Sequence, residues 1–580
     1  MRLCCQWAFR ICCHDGVTPG FGEFNGLGDG VYLPPTPHRT TGPDHLHLPG
    51  PPPGRRGCDD NGRALPSLPV EPDMDRIQRP FFPIIYVRGY AMTRAEIVET
   101  TSTPFMGLEA GSTKIRQAQD GSVVKFVFES PLVRLMKDYG YRDVYDGGAE
   151  LRSGIAPRSI VIHRYYDVAD PAFGDGKAPS ITEAAASLGR RILELRDSVC
   201  GNNASQRRDF RVYLVAHSMG GLICRCLLQN PEVASAEART LVDKVFTYAT
   251  PHNGIDVAGI NVPDLLSIND MNNFNRGNMA RYLKVPRDKV NTLGDSGFPA
   301  ERMFCLVGTN SRDYAVARGL SSFAVGALSD GLVRIANAWV EGAPRAFVNR
   351  SHSGYFGIVN SEEGYQNLSR FLFGDICATA QLDITALALP PEVEAARRRG
   401  RQVRSSYYIE ATVAPRGAYT YQLTARTQAN ESAVRREYGD IFDADGNVRR
   451  DARAPVLFSV FLDSRRITAG SEVAFSIELA VCNAGYEVDG ALFLKNHIPG
   501  EYLFRNTLVL FARPDGDGWR LRYVWGDDQW AGGPKTQAEL DSASDRAIGI
   551  SQQSPRVFTV PVSSTKGFAA ELKIALSDWQ

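Results

Sequence analysis

The sequence predicts an α/β fold: a mostly parallel sheet with helices on both faces, followed by a C-terminal antiparallel, sandwich-like β domain. Three observations predict it. Between about residues 80 and 375, short apolar strands alternate with helical patterns, as in a parallel sheet covered on both sides. One of those strands runs into a turn built around Ser218 and then directly into a helical pattern. Past about Gly374 the texture changes to large apolar residues alternating with less apolar ones, the mark of half-buried antiparallel strands.

A chain of 580 residues is long enough for two to four domains. Residues 1–73 are rich in Gly and Pro, keep no helical or strand period, and read as disordered. Met74 stands just before the first ordered-looking segment, which admits a start upstream of the natural one. Residues 74–375 form the α/β domain, interrupted by insertions at about 93–158 and 255–300. Residues 376–404 read as a linker with a charged helix, and 405–580 as a β-rich accessory domain.

The elements follow in order. Residues 81–87 (Phe-Phe-Pro-Ile-Ile-Tyr-Val) are a buried strand leading into Arg88-Gly89-Tyr90. Residues 159–166 are a second strand. Ser180-Ile-Thr-Glu183 is a capping box opening a helix through Leu188, Ile192 and Leu195, with Gly201 as its stop. Strand 210–215 precedes the serine turn, and its helix runs to about Gln229. Residues 241–248 and 302–307 are further strands. In the β region, Val473, Phe475, Ile477, Leu479 and Val481 lie on one face. Trp519, Leu521, Tyr523 and Trp525 do the same, and Pro514–Gly518 is the turn before them. The arginines at 397–401 read as a solvated helix face, and Asp443–Asn447 as a turn rather than a calcium loop.

Charge and composition exclude several classes. Lys and Arg total 65, as do Asp and Glu, so no net field favours nucleic acid or an anionic membrane. No apolar run reaches the roughly 20 residues that span a bilayer, which leaves only peripheral membrane contact open. The N-terminal segment is broken by Gln6 and Arg10, unlike a secretory core. The 11 cysteines lack paired zinc spacing, so a reduced, cytoplasmic setting without metal is expected.

The chemistry is carried by Ala216-His-Ser218-Met219-Gly220-Gly221. A Ser between small residues, after a strand and before a helix, is the nucleophile elbow. A serine hydroxyl needs a base, and the base needs an acid to orient it. Downstream, Asp330 in Ser329-Asp-Gly-Leu-Val333 and His352 in Arg350-Ser-His-Ser-Gly354 stand in the order acid, then base. His252 and His497 are the other histidines downstream of Ser218; Asp256 and Asp313 compete with Asp330.

Together, the Ala-His-Ser-Met-Gly-Gly, Thr250-Pro-His-Asn-Gly254 and Asp330-Gly-Leu-Val motifs and the late loop histidine resemble the α/β-hydrolase lipases and esterases, including the group related to the GPI inositol-deacylase. The resemblance covers about residues 80–375. It implies Ser218 as nucleophile, Asp330 as acid, His352 as base, and backbone N–H groups of Tyr90 and Met219 as the oxyanion hole. Arg88 stands where the family has His. The implied activity is hydrolysis of a carboxylic ester, lipid-like in substrate, through an acyl-enzyme and without metal or organic cofactor. A phospholipase or thioesterase would use the same triad. A hydrolase fold kept for binding is the non-catalytic alternative, and the partner of the β domain is not specified.

Overall fold

The computed structural model describes residues 76–580 except 92–93, 110, 118–122, 147–148, 171–172, 258–259, 262–270, 312–327, 355–356, 417–421, 425–432, 451–452, 468–471, 490–494, 517, 527–535, 551 and 555. The segment expected to be disordered, 1–73, lies outside the described residues.

A seven-stranded sheet organises the N-terminal half. Its strands are β1 (Ile84–Val87), β2 (Arg142–Asp143), β3 (Ser159–Ile162), β4 (Val212–His217), β5 (Val242–Tyr248), β6 (Met303–Gly308) and β7 (Arg345–Val348). They lie in the order β7-β6-β5-β4-β1-β3-β2, and every pair is parallel. Every residue of β1, β3, β5 and β6 is buried, as expected where helices cover both faces. Successive connections run to opposite sides of the sheet from β1 and from β4. The carboxyl ends of these two neighbours therefore flank a crevice, where α/β sheets place their sites.

Three helices matter to that crevice. α1 (Ile181–Cys200) opens on the expected capping box: Ser180 accepts from the Glu183 N–H, and Glu183 accepts from the Ser180 N–H at 2.8 Å. α2 (Met219–Gln229) follows the serine turn and is buried throughout. α3 (Glu362–Phe373) is capped by Ser361, whose hydroxyl accepts from the Gly364 N–H at 3.0 Å.

Several boundaries differ from the sequence reading. The strand expected over 159–166 stops at Ile162, because His163, Tyr165 and Tyr166 turn their side chains to α1 and to the loop after β1. The first insertion holds helix Arg94–Thr101, the hairpin Ser112–Gln117/Val123–Phe128, helix Pro131–Tyr139 and edge strand β2. The second holds the short pair Asp256–Val257/Ile260–Asn261 and helix Arg276–Leu283.

Residues 376–404, expected as a linker, begin with a 12-residue strand, Ile376–Leu387, inside a five-stranded antiparallel sheet. The charged helix is there but ends at Arg398, with Arg397 and Arg398 both paired to Glu394. A second antiparallel sheet contains Val403–Pro415, Val473–Asp489, Tyr502–Asp515 and Gly518–Trp525. Asp515 pairs with Gly518 across the expected tight turn. Val473, Phe475, Ile477, Leu479 and Val481 all enter the core between the two sheets.

The β sheets are welded to the α/β half. Phe461 and Trp579 sit in the same apolar cluster as β5, β6 and α3. Trp579 Nε1 donates to the Phe371 carbonyl at 2.7 Å, and the Phe371 ring lies 5.0 Å from Phe461. Thr424 pins the edge strand β7 by accepting from the Phe347 N–H and donating to the Phe347 carbonyl.

Candidate active site

The serine turn is strained. Ser218 has φ 53° and ψ −124°, a region that non-glycine residues rarely enter and that costs on the order of 1–3 kcal/mol. The surroundings hold it there. The Ser218 N–H donates to the Tyr248 carbonyl on β5 at 2.9 Å, and Thr250 Oγ1 donates to the Ser218 carbonyl at 2.9 Å. The flanking glycines are dictated by close approach. A Cβ on Gly220 would stand 2.2 Å from the Val87 carbonyl oxygen, and one on Gly221 2.2 Å from Thr250 Oγ1.

The three polar side chains expected from chain order meet. His352 Nε2 lies 2.9 Å from Ser218 Oγ, and His352 Nδ1 lies 2.8 Å from Asp330 Oδ2. All three residues are buried. The Asp330 carboxylate can only accept from Nδ1–H, so Nε2 is left to accept the serine proton. Asp330 is itself fixed: its Oδ1 accepts from the Leu332 and Val333 N–H groups at 3.0 and 2.7 Å. Its carbonyl takes the His352 N–H at 2.9 Å, which ties acid and base loops together. Gly308, at the end of β6, makes room for this turn, since a Cβ there would be 2.9 Å from Asp330 Cβ.

The competitors have other work. His252 is fully buried behind the turn, with Nε2 3.1 Å from Thr247 Oγ1 and its carbonyl accepting from Arg225. Burial holds its imidazole far below the usual histidine range. His497 lies on strand Lys495–Ile498 of the β region. Asp256 is engaged by Arg276 and by Asn337. Asp313 lies outside the described residues.

The loop after β1 lies against the elbow. A Cβ on Gly89 would fall 2.8 Å from Ser218 Cβ and 2.9 Å from His217 Nδ1, so only glycine fits. Tyr90 follows immediately, its ring edge-on to Phe274 of the second insertion. Met219 is the first helical residue of α2, where backbone N–H groups have no intrahelical acceptor. The Arg88 side chain turns away and donates to the Met106 carbonyl in the first insertion.

Four supporting residues were not singled out in the sequence. Tyr165 Oη donates toward the Arg88 and Gly89 carbonyls at 2.9 and 3.2 Å, and Tyr166 Oη accepts from the Ala91 N–H at 2.9 Å. His217 Nε2 donates to the His352 carbonyl at 2.9 Å, and burial, reinforced by His352, lowers its pKa to about 3. It is therefore a neutral strut under the base loop. Arg225 is fully buried in α2 and donates to Gln229 and to the His252, Val290 and Thr292 carbonyls. Its signal was an arginine inside the apolar run Leu222–Leu228; the tyrosines and His217 act on distant carbonyls and leave no local pattern.

Residues 182–297 match the family model described as a PGAP1-like alpha/beta domain. That span takes in the serine turn and the Thr250–Gly254 segment, and ends before Asp330 and His352. No curated protein sequence matches the chain. Among solved structures, a metagenomic carboxyl esterase is 15% identical, over 51% of this chain and 70% of its own, with a TM-score of 0.27. An acetylxylan esterase is 15% identical over 33% and 78%, TM-score 0.16. The Tle4–Tli4 complex is 14% identical over 50% and 66%, TM-score 0.19. Among the described residues no group of three or more His, Cys, Asp or Glu is placed to hold a metal ion, and no helix is long and apolar enough to cross a membrane. The strained serine turn, the parallel sheet order and the sequence Ser218, Asp330, His352 together define an α/β-hydrolase fold, similar to the PGAP1-like alpha/beta domain around its serine turn.

Proposed function

We propose that the protein is a serine hydrolase that cleaves carboxylic esters through an acyl-enzyme. The observation that carries this reading is the unbroken chain Asp330–His352–Ser218 on a strained turn at the carboxyl end of β4. Ser218 Oγ attacks the ester carbonyl while His352 Nε2 takes its proton. Asp330, its other oxygen occupied by two backbone N–H groups, orients the ring and stabilises the imidazolium. The Tyr90 and Met219 N–H groups hold the oxyanion; one such donor is worth roughly 3 kcal/mol of barrier. His352 then returns the proton to the leaving alcohol, and water repeats the two steps on the acyl-enzyme.

The lipid-like part of the proposal rests on the PGAP1-like match and on the two insertions, which flank the loop after β1 and supply Phe274 beside Tyr90. A phospholipase or thioesterase would run the same chemistry with another leaving group. Purified protein assayed on esters and thioesters of varied acyl length and head group separates these. Turnover of long-chain esters that is absent in Ser218→Ala supports the reading; turnover retained in Ser218→Ala assigns it to another nucleophile.

A further inference from the structure

A cavity of about 920 Å³ lies away from the triad, between the β7 edge of the parallel sheet and the antiparallel sheets. Neither Ser218 nor His352 lines it. Its volume is at the upper end of small-molecule sites, enough for an organic ligand rather than a lone ion. Its walls are of two kinds. Trp339, Phe347, Val434 and Trp579 contribute apolar surface, and Arg334, Arg345, Arg435, Arg436 and Arg453 contribute five cations against the carboxylates of Glu301, Glu341 and Asp578.

The cations are not equivalent. Arg435 is paired with Glu437, and Arg453 reaches Glu341 only at 3.6 Å. Arg345 has no carboxylate partner among the described residues, and its Nε is buried without a hydrogen-bond acceptor. Its guanidinium lies 4.0 Å over the Trp339 ring, which fixes the plane of the fork. Burial lowers its pKa to about 10, and the nearby Arg453 and Arg436 push in the same direction. A guanidinium held flat, without a carboxylate partner among the described residues and crowded by like charge, is a site that an anion would relieve. The planar fork suits a carboxylate or a phosphate.

We propose that this cavity binds an amphiphilic anion, its carboxylate or phosphate head on Arg345 and its apolar tail along Trp339 and Phe347. The inference is independent of the reaction proposed above, because binding is measured without turnover. One wall is the hairpin carrying Asp330, whose flanking residues Leu328 and Arg334 both line the cavity. An occupant therefore abuts the acid loop from behind.

Calorimetric titration of the full chain with octanoate, octyl phosphate and octanol tests this. At least one of the two anions should bind saturably, at one site, and at least tenfold more tightly than octanol. The stronger of the two distinguishes a fatty-acid carboxylate from a phosphate-headed lipid. Arg345→Met should weaken that binding at least tenfold. Arg453→Met, at a side chain 85% exposed and so harmless to folding, should weaken it about threefold. Absence of saturable binding by both anions, equal binding of octanol, or wild-type affinity in Arg453→Met together with any folded Arg345→Met protein would overturn the proposal.

Discussion

At the scale of single residues, the molecule spends stability to hold one side chain. Ser218 sits at positive φ because the N–H and carbonyl on either side of it are pinned to Tyr248 and Thr250. Glycine has no Cβ to object to that conformation. Ser218→Gly should therefore stabilise the fold by about 1 kcal/mol, which raises the melting temperature of a cooperative unit this large by only about 1 °C, while hydrolysis disappears. A lowered melting temperature would mean that the turn is not strained. His217 makes a second case. A histidine in the unfolded chain titrates near 6.5, and in the fold His217 titrates at about 3. Between those values the unfolded chain binds a proton that the folded chain does not, so stability present above pH 6.5 is lost as pH falls toward 3. At about 1.4 kcal/mol per unit, the contribution lost by pH 4 is on the order of 3 kcal/mol. His217→Gln keeps a donor for the His352 carbonyl but cannot titrate. Its urea midpoint should fall less between pH 7 and pH 4 than that of the wild type; an equal fall would place the acid sensitivity elsewhere.

At the scale of elements, the site is an agreement among four loops at the carboxyl ends of β1, β4, β6 and β7. Each loop is tied to a neighbour through hydrogen bonds on its backbone groups, to the Tyr165 and Tyr166 side chains at the loop after β1, so the geometry survives only if the elements approach closely. Gly220→Ala would drive a Cβ to 2.2 Å from the Val87 carbonyl oxygen and should separate α2 from β1. Little soluble protein, or a loss of more than about 3 kcal/mol, is expected by chemical denaturation. Tyr165→Phe is gentler. It removes the donor to the Arg88 and Gly89 carbonyls, so kcat should fall about tenfold with KM little changed, as the oxyanion loop loosens while the acyl site stays. A rise in KM at constant kcat would assign that loop to substrate binding.

The same scale shows what the sequence could express. Ser218 was legible because its constraints are local: small residues, a strand before, a helix after. Asp330 and His352 were legible from chain order and from the small residues around them. β2 has two residues, too short to carry a period, and β7 opens on Arg345 and Ala346, which leaves only Phe347 and Val348 as strongly apolar residues; neither was expected. Strand Ile376–Leu387 alternates buried and half-buried positions, but Ala378 and Ala380 fill two of the buried ones and mute the signal. The contacts of Tyr165 and Arg225 span tens of residues and end on backbone carbonyls, which no side-chain pattern announces.

At the scale of the whole molecule, residues 72–580 form one unit by their contacts, and the β sheets share an aromatic cluster with the α/β core. Phe304, Phe371, Phe461 and Trp579 meet there, and Lys244 Nζ, fully buried on β5, donates to the Phe371 and Leu372 carbonyls beneath Trp579. Trp579→Ala should cost about 3–5 kcal/mol and loosen both halves together. Calorimetry should show one unfolding transition in wild type; two separated transitions would show that the β sheets fold independently of the hydrolase half.

Ser218, held on its strained turn against His352, should act as an activated nucleophile. Intact-mass measurement after exposure to a fluorophosphonate probe, with peptide mapping of the adduct, tests it most directly. Wild type should gain a single adduct on Ser218, and Ser218→Ala and His352→Ala should gain none at matched times. Folded wild-type protein that takes no label while a reference serine hydrolase is fully labelled, or an adduct mapped to another residue, would contradict it.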